Sequence, residues 1–198
     1  MRIKKTIGYL AVMLLLALVV LVLVSWLLSA TQGDGVRSLL SSEGIRFFFG
    51  GFTDMLRKPL LVWLLLLSMA WGCLRESGLL QFFSEPLQHH RRRQTLILLS
   101  VVSTLYIGIM MLLTVTPQAV LLSAIGQLWP SPFSHALVPV IAFGVVMLSV
   151  VYGLMARRFL SMADVCQSLT HGIVLAAPLF LLYILVMQFV GALCFVFG

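Results

Sequence analysis

Apolar residues in this chain come in long unbroken runs, not in strand-like alternation or in the single stripe of an amphipathic helix. The runs are Ile7 to Leu28, Pro59 to Leu74, Leu96 to Val115, Ala136 to Ala156 and Ile173 to Phe197. A helix of about 20 mostly apolar residues crosses the hydrocarbon of a bilayer. The pattern therefore predicts five transmembrane helices at about 7–28, 59–80, 96–115, 136–156 and 173–197, forming one membrane domain over 1–198. The second run reaches that length if it continues to Leu80, and Pro59 suits its first turn, where no N–H is needed. The first run is longer than the roughly 7–15 apolar residues of a secretory signal and ends in Ser29-Ala30-Thr31, a poor cleavage site, so it reads as a retained span. After the third run Thr116-Pro117 interrupts the helical ladder, and Ala119 to Trp129 continues apolar up to Trp129-Pro130-Ser131-Pro132. The stretch 117–130 reads as a partial or re-entrant element. Such backbone is tolerated at membrane depth only where protein or a water-filled cavity shelters it.

Composition supports the same class. Apolar residues make up 61% of the chain and charged residues 10%, too few charges for the surface of a soluble domain. An all-α polytopic membrane protein is the expected fold class. The formal charge of +7 could suit a nucleic-acid partner, but the apolar runs exclude that reading, and membrane lipids are the expected surroundings. Nine of the thirteen basic residues fall in the N-terminal tail (Arg2, Lys4, Lys5), the segment with Arg75 and Arg91-Arg92-Arg93, and Arg157-Arg158. Five spans place all three on one side, and short cytoplasmic loops carry such an excess. The N-terminus is thus expected in the cytoplasm and the C-terminus outside, in a cell inner (plasma) membrane. A full crossing by 117–130 would put Arg157-Arg158 on the wrong side. The external loop 29–58 holds a Phe-rich strip, Ile45 to Phe52, with Arg37, Arg46 and Arg57 nearby. It suits a helix lying in the membrane interface, or aromatics packed on the ends of the spans.

The chemistry within the spans is sparse. Every Asp, Glu, Lys and Arg lies at a span end or between spans, so neither a nucleophile with a positioned base nor a titratable relay is visible. No enzyme activity, catalytic residue, cofactor or metal site is expected. His89-His90 are adjacent and point to different sides of a helix, and with Arg91–Arg93 they read as a basic patch facing anionic headgroups. Ser100, Thr104 and Gly108, Ser68 with Gly72, and Ser149 with Gly153 repeat at four-residue spacing, which lets helices approach closely. The candidate substrate-binding residues are Thr114, Thr116 and Gln118 around the break, joined by Gln188 in the fifth span. A buried amide needs hydrogen-bond partners, either from a facing helix or from a solute.

The segment Ser38-Leu39-Leu40-Ser41-Ser42-Glu43-Gly44-Ile45-Arg46, then the Phe-rich strip, Pro59-Leu60-Leu61-Val62 and Gly72-Cys73-Leu74-Arg75-Glu76-Ser77-Gly78-Leu79-Leu80, resembles the N-terminal part of the p-aminobenzoyl-glutamate transporter family. The likeness is strongest over residues 38–80. It implies a bacterial inner-membrane secondary carrier, dimeric, with re-entrant hairpins and a path for substrate or drug through each protomer. Family members are more than twice this length and contain inverted repeats, which carriers use to build a midplane site. Where the family has an Asp-Gly-Tyr type motif this chain has Thr114-Val115-Thr116-Pro117, so no acid is carried over. Two expectations remain. One is a transporter-like protein, working as a homo-oligomer and moving a small organic solute, aminobenzoyl-glutamate-like or drug-like. The other is a non-transporting accessory or scaffold subunit that binds another membrane protein.

Overall fold

The computed structural model describes residues 2–31, 37–56, 59–84, 90–115 and 132–198. Among them the chain is all helix and turn: α1 (Arg2–Thr31), α2 (Ser42–Leu56), α3 (Pro59–Ser77), α4 (Leu79–Ser84), α5 (His90–Val115), α6 (Pro132–Met155) and α7 (Met162–Phe197). Helices α1, α3, α5, α6 and α7 are long and apolar enough to cross a membrane. The fold is that of an all-α polytopic membrane protein. The expected element at 117–130 lies outside the described residues.

Local chemistry explains where the helices begin and end. Pro59 opens α3 as the sequence suggests, but α3 stops at Ser77, short of Leu80, because Gly78 takes the left-handed conformation at φ 75°. A residue with that φ ends a helix, and glycine adopts it without a Cβ clash. Ser41 caps α2, its Oγ accepting the Gly44 N–H at 3.1 Å. Helix α7 starts at a reciprocal cap: Asp164 Oδ2 accepts the Ser161 N–H at 2.9 Å, and the Asp164 N–H reaches back to Ser161 Oγ at 3.4 Å. The apolar run from Ile173 is thus only the later part of a 36-residue helix.

The chain divides into two compact units, Met1–Leu61 with Ala176–Gly198, and Val62–Leu175. In the first, α1 and the later part of α7 close on a core of Leu21, Leu39, Ala192 and Val196. The turn into α2 is pinned there: Ser25 Oγ accepts the Leu39 N–H at 3.2 Å, and the Val196 carbonyl accepts the Arg37 N–H at 3.2 Å. Helix α2 then lies against α7, with the Phe47 and Phe195 rings stacked 4.6 Å apart at 20°. Of the two readings of the Phe-rich strip, this contact supports the packed one, while Phe49 on the same helix remains 75% exposed.

In the second unit, α3 and the early part of α7 cross at a pair of glycines. A Cβ on Gly172 would collide with the Ser68 carbonyl oxygen and come within 2.9 Å of the Gly72 Cα, so only hydrogen fits at either position. Buried Ser68 and Ser168 return their hydroxyls to Leu65 and Val165 carbonyls at 2.7 Å, which keeps the crossing small without leaving a donor unpaired. Ser68 and Gly72 therefore form the packing face their spacing suggested. A separate cluster of Leu79, Phe82 and Leu99, with Leu96, Leu148, Val151 and Tyr152, ties α4 to the start of α5 and the end of α6. Tyr106 joins α5 to α6 again by donating to the Val140 carbonyl at 2.7 Å. The small-residue face on α5 behaves differently. Ser100, Thr104 and Gly108 are exposed, and a Cβ on Gly108 would meet nothing within 4 Å.

Candidate functional site

Of the four candidate residues, Gln188 is the one whose side chain is described. Thr114 sits in the last turn of α5, but its side chain lies outside the described residues, as do Thr116 and Gln118 altogether. Gln188 is held by α7 facing α2. Its Nε2 donates to the Phe48 carbonyl at 3.3 Å, while its Oε1 is buried and has no partner among the described residues. Tyr183 Oη, on the same stretch of α7, is likewise buried and unpartnered among them. A bond between polar groups across helices in lipid contributes only about 0.6 kcal/mol on average. An unsatisfied buried acceptor costs about 1–3 kcal/mol. The Gln188 amide is therefore more costly to the protein alone than its one hydrogen bond repays.

Gln188 also lines a cavity of about 300 Å³, together with Leu15 and Leu18 of α1, Phe48 and Phe49 of α2, and Ile184 and Leu185 of α7. The size is at the lower end of small-molecule sites, and the make-up, aliphatic and aromatic walls with one convergent polar group, is theirs too. Among the described residues no charged side chain stands in the wall. It suits an uncharged or amphipathic organic molecule that offers a hydrogen-bond donor beside Gln188 and an apolar or aromatic body to the leucines and phenylalanines. A carboxylate meets no cation among these wall residues.

The second unit has a cavity of about 260 Å³ between α4, α5 and α6, lined by Leu79, Leu96, Leu99, Ser100, Ser103 and Leu148. Its Ser100 hydroxyl is already bonded to the Ile97 carbonyl at 2.8 Å, which leaves less unmet polarity than at Gln188. Gln188 and the Phe-rich strip each stand out in the sequence, but nothing there joins them. Their separation of 140 residues carries no periodic signal, and the wall residues of α1 and α7 look like any others in an apolar run. No family model matches the chain, no curated protein matches its sequence and no solved structure matches its fold.

Proposed function

We propose that the protein is a transporter-like membrane protein that takes up a small, uncharged or amphipathic organic molecule in the cavity between α1, α2 and α7, with Gln188 as the polar contact. The observation that carries this reading is the unpartnered Gln188 Oε1 in the wall of an otherwise apolar cavity. The likeness of residues 38–80 to p-aminobenzoyl-glutamate carriers points in the same direction. The uncharged wall favours a neutral aromatic amide or drug-like solute over the glutamate-bearing one. The excess of arginine on alternate inter-span segments supports an inner-membrane placement with the N-terminus in the cytoplasm. Purified protein in liposomes tests the proposal: neutral aminobenzoyl amides cross faster than through protein-free vesicles, and Gln188→Leu removes the difference. Equal flux with and without protein, for a range of neutral aromatic solutes, counts against it.

The exposed Ser100, Thr104 and Gly108 face supports assembly into a homo-oligomer, and it equally suits the reading of the chain as a scaffold for another membrane protein. Gly108→Leu is expected to leave the monomer's thermal stability within about 0.5 kcal/mol, as for surface changes in general, and to shift the protein toward monomer in crosslinking in lipid. An unchanged oligomer distribution removes this face from the assembly.

A further inference from the structure

The second unit gathers positive charge where its apolar runs stop. Arg75 lies in the last turn of α3, Arg93 in the first turn of α5, and Arg157 and Arg158 come directly after α6; all four are exposed. The carboxylates described at this end are engaged elsewhere. Glu76 Oε1 lies 3.5 Å from His171 Nδ1, and Asp164 Oδ2 accepts the Leu160 and Ser161 N–H groups. Among the described residues none of the four arginines pairs with a carboxylate.

Backbone geometry singles out two of them. Gly78 and Arg157 are the described residues with left-handed φ, 75° and 53°. Arg157 occupies the position after α6 that glycine usually fills: the Arg158 N–H bonds the Gly153 carbonyl at 2.9 Å and the Arg157 N–H bonds the Leu154 carbonyl at 3.2 Å. An arginine held in this conformation is strained where glycine is not. Arg158 folds the other way, onto Gly78, where a Cβ would strike its guanidinium, and its Nη2 donates to Gln81 Oε1 at 3.0 Å. One guanidinium is thereby fixed in place next to a second on a strained turn.

We propose that Arg157 and Arg158, with Arg93 near them, bind the phosphodiester headgroup of an anionic membrane lipid. Fixed guanidinium donors match a phosphate, and little side-chain freedom remains for binding to remove at Arg158. The α4 cluster holds the first turns of α5 to the last turns of α6, which brings Arg93 to this end of α6. A lipid fits better than a soluble anion because α5 presents an acyl-chain surface beyond Arg93. Ile97, Val101 and Leu105 succeed it at four-residue spacing, each more than half exposed, and form one apolar track leading away from the charge, alongside the Ser100, Thr104 and Gly108 face, so that a lipid held here lies at the margin of that face. Headgroup and acyl chain each meet a matching surface.

Native mass spectrometry of the full chain in neutral detergent, with equimolar phosphatidylglycerol and phosphatidylcholine, tests this. The wild type is expected to retain phosphatidylglycerol about thirtyfold in preference, taking about 1 kcal/mol for each of Arg157 and Arg158 near an anionic surface. Arg157→Gly relieves the strained turn, so it is expected to unfold at the same or a higher temperature while losing about fivefold of that preference. Arg158→Gln is expected to lose a similar factor. An unchanged preference in the double variant overturns the proposal, as does equal retention of the two lipids by the wild type. Displacement of the lipid by millimolar inorganic phosphate also overturns it, in favour of a soluble-anion site.

Discussion

Gly172→Leu is expected to abolish the folded second unit. The added Cβ runs into the Ser68 carbonyl oxygen and crowds the Gly72 Cα, and both are backbone atoms on α3. A flexible side chain could swing aside, but helix backbone cannot, so α3 and α7 must separate along the crossing. In lipid that separation is not resisted by a hydrophobic effect. Helix association there depends on close contact, and at this crossing that contact is what the added side chain removes. Overpacking in a water-soluble core costs about 1–3 kcal/mol where side chains can yield; with backbone on both sides, a loss of at least about 3 kcal/mol is expected on the same scale. Reversible unfolding in mixed micelles measures it, or a collapse in the yield of monodisperse protein. Gly8→Leu is the control, because nothing stands within 4 Å of its Cβ position; its effect should stay within about 0.5 kcal/mol. Equal stabilities for the two variants contradict the glycine crossing.

Gln188→Leu has the second large effect, and stability and binding should move in opposite directions. Loss of the bond to the Phe48 carbonyl removes about 0.6 kcal/mol. Removal of the unpartnered Oε1 returns about 1–3 kcal/mol. The second contribution is larger, so the variant is expected to be more stable than the wild type by up to roughly 2 kcal/mol. Solute affinity should fall by about tenfold or more, the loss of one hydrogen bond to a buried group. Unfolding and equilibrium binding on the same preparations read both signs. A variant that is less stable and binds equally well identifies Gln188 as a structural fastener between α2 and α7.

Much of the fold is legible in the runs of apolar residues, since each of the five marks one long helix, although the second expected span runs past the end of α3. What they could not show is where helix continues past the hydrocarbon. Helix α5 begins at His90 and takes in Arg91–Arg93, and α7 begins at Met162 because of a cap formed by Ser161 and Asp164. The stop at Gly78 is written in the residue itself, yet an apolar Leu79-Leu80 beyond it makes the run look longer than the helix. The left-handed turn at Arg157 leaves no mark, because nothing in Ala156-Arg157-Arg158 resembles the glycine such a turn prefers. At the candidate site, Gln188 stands out as an amide inside an apolar span. Its cavity is hidden, because Leu15, Leu18, Ile184 and Leu185 acquire a role only when α2 packs beside α1 and α7. Thr116 and Gln118, singled out by the proline break, belong to the stretch outside the described residues.

The α1–α2–α7 cavity as the place where a solute is held is tested most directly by filling it. Leu18→Trp puts an indole into the space that Leu18 now lines with Phe48 and Gln188. Saturable binding of a radiolabelled neutral aminobenzoyl amide to wild-type protein in lipid nanodiscs, lost in Leu18→Trp protein that unfolds at the same temperature, is the expected result. Binding that survives the indole unchanged, or that never saturates above empty nanodiscs, contradicts the account.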